Sequence, residues 1–203
     1  WTSDLHSCDA IKKRRAVNYF DSFHRPLKSD IKKMMEHVIL SPTSFNIQNW
    51  RFVVVTDADL RKKIRGVAWN QAQITDASFL VIFCGDLNAW KKAERCWRKA
   101  PPRVKENMLA AIKFIYGRNK QLQYDEAIRS CGIAAQTLML AAKAMDYDTC
   151  PMVGFDVKKV ARLIKLPKHH VVTMIIAVGK RIKEPWPRSG QLALKEVVKE
   201  NTF

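Results

Sequence analysis

Apolar side chains recur at Ile31, Met34, Met35, Val38 and Ile39. Spacings of three and four residues mark one face of a helix, with Ser29 placed to cap its start. The pattern then changes. Arg51 to Val55 and Phe79 to Cys84 are short, nearly unbroken apolar runs, and each predicts a strand buried on both faces. Val171 to Val178, interrupted only by Thr173, predicts a third. A long helical region separates the second strand from the third. Its end, Asp125 to Met145, carries Ile128, Cys131, Ala134, Ala135, Leu138, Met139 and Ala142 with little charge between them. That is apolar over more of the circumference than a surface helix needs. The helix is therefore either the central core element or a face for a second subunit. Pro185 and Pro187 lead into a final helix, Leu192 to Val198. Strands separated by several helices predict an α+β sandwich with one dominant core.

At 203 residues the chain fits one large domain, 1–203, and 47% hydrophobic residues are enough to fill its core. No apolar run is long enough to span a bilayer, and nothing reads as a secretory signal, so a cytoplasmic protein is expected. Five scattered cysteines without a C-x-x-C pair argue for a reducing compartment and against a disulfide framework or zinc module. Cys84 and Cys131 lie among apolar neighbours and read as small core residues. The charge changes the picture more. A net +17 raises nucleic acid as a partner. However, the lysine pairs (12–13, 32–33, 62–63, 91–92, 158–159) are spread along the chain and flank apolar positions, as the outer faces of helices do. Residues 90–123 are basic and interspersed with Trp90, Trp97, Phe114 and Tyr116; they read as a helical excursion or lid.

The seven glycines include no G-x-G pair, which removes the dinucleotide fingerprint and the P-loop. G-x-S-x-G is absent as well, so a hydrolase nucleophile elbow is excluded. His169 and His170 are adjacent and point apart, and no spaced histidines or clustered carboxylates suggest a metal. A phosphate-bearing cofactor would therefore need side-chain cations. "IKKRRAVNYF" (11–20) offers Arg14 and Arg15 beside Ala16 and Asn18, and arginine's planar fork suits phosphate. "SPTSFNIQNWRFVVV" (41–55) sets neutral hydroxyls and amides, Thr43, Ser44, Asn46 and Gln48, at the mouth of a strand. Such groups make turns, and they also hydrogen-bond planar ligands.

Taken together, "RRAVNYFD", "SPTSFNIQNWRFVVV", "NQAQITDASFLVIFC" (70–84), "CPMVGFD" (150–156) and "VGKRIKEPWPRSG" (178–190) resemble, in order and spacing, the FMN-dependent nitroreductase family. The resemblance implies a nitroreductase-like α-β-α sandwich, a mixed or antiparallel sheet flanked by helices, and a domain-swapped-type homodimer with FMN at the subunit interface. It implies NAD(P)H as reductant and a nitroaromatic, quinone or activated alkene as acceptor, reduced in alternating two-electron half-reactions. By position, Arg14, Arg15 and Arg188 would meet the phosphate and ribityl chain. Asn18, Asn70 and Gln73 would lie at the ring's pyrimidine edge, and Pro151, Met152, Val153 and Gly154 beside the reactive N5 edge. Pro42, Thr43, Ser44 and Asn46 would line the flavin from the other subunit, with Gln48 supporting them. No side chain need be catalytic, since the flavin carries the chemistry.

The sequence departs from the family pattern at four places. Ala16 replaces a usual Ser, Asn49 a usual Pro, Gln73 stands where some members carry Lys, and Gly190 where some carry a second cation. A neutral Gln73 stabilises a reduced flavin anion less than an ammonium does. Two other classes stay open at this level: a flavoprotein with different chemistry (flavin fragmentation or oxidative dehydrogenation) and a basic nucleic-acid-binding protein.

Overall fold

The apolar run Phe79 to Cys84 opens β2 (Phe79–Asp86), the strand on which the computed structural model is organised; residues 7–203 are described. The first six residues of the expected 1–203 domain lie outside that range. β2 pairs antiparallel with β1 (Trp50–Val55) on one side and with β4 (His170–Gly179) on the other, and β4 pairs antiparallel with β3 (Asp148–Met152). The order is β1-β2-β4-β3, so β1 and β3 are the two edges.

Successive side chains of a strand point to opposite faces, and here both faces are covered. Leu80, Ile82 and Cys84 of β2 pack with Ile175 and Ala177 of β4 beneath α3 (Ala58–Gly66) and α7 (Val157–Leu163). Phe79, Val81 and Phe83 face the other way with Ile176 and Val178, under α2 (Lys28–Val38) and α6 (Lys120–Ala144). This double cover is why β2 reads as a continuous apolar run. Each such side chain contributes about 1.5–3 kcal/mol on burial. The architecture is the expected α+β sandwich, with an antiparallel sheet.

α6 is the core helix of the second layer, touching α1 (Ser7–Lys13), α2 and all four strands. Its buried face uses small residues, Ala127, Cys131, Ala134, Ala135 and Ala142, which let it lie close to the sheet. At one point the approach needs a glycine opposite: a Cβ on Gly85 would sit 2.6 Å from Ala127 Cβ. Ile128 and Ile133 of α6 remain exposed.

Two expectations are corrected. α2 begins at Lys28 with Leu27 at its cap position and no side-chain cap, so Ser29 lies inside the first turn. β1 is not buried on both faces; it is an edge strand with Val54 exposed, because only one neighbour and part of one layer cover it. Asp148–Met152, for which the apolar pattern predicts no strand, is one: its Pro151 occupies an edge, where the missing N–H costs least. Asp156 caps the start of α7, its carboxylate accepting from Lys159 N at 2.9 Å. Residues 90–123 comprise a 3-10 segment (Ala89–Arg95), α5 (Pro102–Tyr116) and the first turn of α6. Beyond β4, residues 181–203 form an arm that includes α8 (Leu194–Val197); apart from Pro185 its residues are exposed, including Ile182, Trp186, Leu192, Leu194, Val197 and Val198.

Candidate functional site

The site residues expected from sequence fall into two groups at opposite edges of the sheet. The first lies on the open side of β3. Residues after α1 run beside that strand, with Ala16 bridged to Thr149 and Val17 N donating to Thr149 O at 3.0 Å. This places Arg14, Arg15, Ala16 and Asn18 along one edge. The arm returns to the same place: Arg15 donates to the Trp186 carbonyl, and Arg188 Nη2 donates to Lys12 O (3.3 Å) and Arg14 O (3.2 Å) at the C-terminal end of α1. Three guanidiniums thus gather, with no carboxylate of the described residues paired to them. Burial and the neighbouring charges of Arg188 and Arg15 push the Arg14 guanidinium below the ordinary arginine value. An anion seated here would relieve that repulsion.

Neutral amides sit beside these cations. The Cys150 thiol donates to Asn18 Oδ1 at 3.4 Å, and Gln73 Nε2 reaches Cys150 Sγ at 3.9 Å. Burial pushes Cys150 up to about 11, with the Gln73 contact pulling the other way, so this thiol stays protonated and is a poor nucleophile. Gln73 opens α4 (Gln73–Asp76) and also donates to Gln71 Oε1 at 3.0 Å. Asn70 Oδ1 accepts from Arg65 Nε at 2.8 Å. Pro151 and Met152 are in β3; Val153 and Gly154 follow it, and Gln71 Nε2 holds the Gly154 carbonyl at 2.8 Å. A Cβ on Gly154 would meet the Trp69 ring at 2.3 Å, and that ring is 80% exposed.

The second group precedes β1, at the far edge. Thr43 Oγ1 accepts from Gln48 N (3.0 Å), and Gln48 Nε2 donates to Asn46 Oδ1 (3.1 Å). Tyr116 of α5 donates to Ser44 Oγ at 2.8 Å, Glu126 of α6 accepts from Ser44 N at 3.4 Å, and Trp97 donates to Phe45 O at 2.9 Å. Pro42 is exposed beside them. Three strand spacings separate the two edges, about 14 Å. The hydrogen bonds of each group stay on its own side.

Both groups carry unusual backbone. Nine non-glycine residues have positive φ among the described residues, and five of them, Phe45, Asn46, Gln48, Trp69 and Asn70, lie in these two segments. Such conformations cost about 1–3 kcal/mol each and persist where function or packing over-determines them. Sequence reasoning missed the supports: Arg65, Trp69, Gln71, Tyr116 and Glu126. Glu126 alone gave a signal, as an acid inside an apolar helix; the others are ordinary until folded.

Residues 11–180 match the profile of the Nitroreductase family. The chain belongs to the nitroreductase family. Protein DrgA of Synechocystis sp. is 51% identical over 181 residues, covering 89% of this chain and 86% of that protein. MhqN of Bacillus subtilis, provisionally named an NAD(P)H nitroreductase, is 32% identical over 86% of this chain and 88% of its own. A provisionally named nitroreductase from Exiguobacterium sibiricum, solved in complex with FMN, superimposes with a TM-score of 0.90 at 25% identity, over 97% of each chain.

Proposed function

We propose that this chain is an FMN-dependent oxidoreductase that takes reducing equivalents from NAD(P)H and passes them to an electrophilic acceptor, a nitroaromatic, a quinone or an activated alkene. The observation that carries the reading is the seat of three guanidiniums, one of them held below its ordinary value, beside the uncharged amides of Asn18, Asn70 and Gln73. A phosphate and a polar ring edge fit that pair of environments. Arg14, Arg15 and Arg188 would hold the phosphate, and Pro151, Met152, Val153 and Gly154 would border the ring. Bound FMN would supply two-electron redox chemistry between the nicotinamide and the acceptor. The chain orients and shields: Gln71 fixes the Gly154 carbonyl and the Gln73 amide, Arg65 fixes Asn70, and Trp69 with Val153 supplies apolar cover. Gln73 is neutral and offers hydrogen bonds without a charge.

Pro42, Thr43, Ser44, Asn46 and Gln48 lie at the other edge of the same chain, so we infer a homodimer in which they complete the partner's site. The exposed apolar side chains of the 181–203 arm support this, since an isolated chain leaves them wet. Residues 1–203 act as one domain, with 90–123 as the cover over the site. No helix among the described residues is long and apolar enough to cross a membrane; a cytoplasmic location fits. An anaerobic titration tests the redox reading. FMN-loaded protein should lose its yellow absorbance with about one NAD(P)H per flavin and regain it on adding a quinone. Flavin that binds but stays oxidised under excess of both nucleotides would contradict it.

A further inference from the structure

A cleft of about 440 Å³ lies between the start of β1 and the segment 89–99. Five of its ten lining residues are cations: Arg51, Lys92, Arg95, Arg98 and Lys99. No carboxylate among the described residues lines it. Asp86 is buried and already pairs with Arg51 at 3.0 Å, and the acid of the neighbouring segment, Glu94, is taken by Lys105 at 2.6 Å. Among the described residues Lys92, Arg95, Arg98 and Lys99 have no ion-pair partner. Trp50 lines the same cleft, and its buried indole N–H has no acceptor. Like charges around one concavity repel unless an anion joins them, and concave walls focus their field. Two arginine forks and two ammoniums suit a phosphate dianion, which accepts from several donors at once, better than a carboxylate. The volume is that of a site for one small ligand.

Gln48 belongs to this cleft and to the segment that completes the neighbouring flavin site. A ligand seated here would therefore have one end beside the flavin and a phosphate at a distance from it. We propose that the cleft binds the 2′-phosphate of NADPH and makes the enzyme prefer NADPH to NADH. This rests on the oxidoreductase reading above. The excursion at 90–123 then serves nucleotide choice as well as cover.

The test has two arms. In the first, calorimetry on the FMN-loaded protein at fixed ionic strength compares 2′,5′-ADP with 5′-AMP. The former should bind at least about tenfold tighter, and Arg95→Ala/Lys99→Ala should remove that advantage, since charge-assisted bonds are each worth about a decade or more. In the second, the same variant should lose about tenfold to a hundredfold in kcat/KM for NADPH and stay within about twofold for NADH. Equal affinity for the two adenosine phosphates, or equal losses with the two nucleotides, overturns the proposal. So does an oligonucleotide that binds tighter than 2′,5′-ADP and loses affinity in the same variant, which would make the cleft part of a polyanion surface. Should neither nucleotide reduce the flavin, the redox reading fails separately; preferential 2′,5′-ADP binding that the variant abolishes still upholds the phosphate seat.

Discussion

Replacing Arg14 and Arg188 together by alanine should lower FMN affinity by about two to four decades, because a charge-assisted hydrogen bond to phosphate is worth about 1.5–3 kcal/mol. With no glycine-rich loop to offer backbone N–H groups, side chains must hold the phosphate, and Gly190 provides no second late cation. The single variants each lose about tenfold to a hundredfold. Arg188 has a competing structural role, since its Nη2 caps carbonyls at the end of α1. Denaturation without FMN separates the two: lost capping costs about 0.5–1.5 kcal/mol of stability and cannot account for the affinity change. Arg188→Lys keeps the charge but not the fork, so it recovers only part of the affinity. Lys33→Ala, on the exposed face of α2, is the charge control. Titration of flavin fluorescence gives the affinities. Double-variant binding within about threefold of the Lys33 control would show that the phosphate lies elsewhere.

Ending the chain at Gly190 should turn the proposed dimer into monomers. That truncation keeps Arg188 and removes Leu192, Leu194, Val197, Val198 and Phe203, all exposed in the single chain. Burial of each on a partner is worth up to about 1.5–3 kcal/mol, so each arm carries roughly 7–15 kcal/mol of gross burial. Ordering the arm and pairing two subunits consume much of that, and a net loss of even about 5 kcal/mol raises the dissociation constant more than a thousandfold. Sedimentation at micromolar concentration should show a dimer for the full chain and a monomer for the truncated one. FMN affinity should fall with it, although every residue of the phosphate seat remains. A truncated chain that stays dimeric would assign the interface to another surface, of which the exposed Ile128 and Ile133 of α6 are the first candidate.

The sequence made the central elements readable because both layers of the sandwich impose simple patterns. β2 is apolar from Phe79 to Cys84 since each face has its own layer, and α6 is rich in small residues since it must lie against Gly85 and its neighbours. β3 escaped notice because an edge strand tolerates proline and alternates less, and Asp148 and Thr149 look like loop residues until the former pairs with Lys143 at 2.8 Å. The candidate site was legible as a set of ordered motifs, and the fold brings its residues Arg14, Asn18, Gln73 and Gly154 to one edge. Its supports were not. Trp69, Gln71 and Tyr116 act only through long-range contacts, such as the 83-residue separation between Gln71 and Gly154, and no local period encodes those. The cationic cleft was hidden for the same reason: its lysines and arginines looked like a solvated face until the chain brought segment 89–99 against β1.

Whether each flavin site combines the Arg14–Arg188 edge of one copy with the 42–48 segment of another is tested most directly by mixed dimers. One chain carries Arg14→Ala/Arg188→Ala and the other Ser44→Ala/Asn46→Ala, with different tags so that only the hybrid is recovered. FMN is set above the wild-type dissociation constant and below those of the two variants. Neither variant alone retains flavin under these conditions. If the halves come from different copies, the hybrid contains one site with both halves intact and one with both impaired, and binds about half the wild-type flavin. A hybrid that binds none would contradict the shared site and return the whole of it to a single chain.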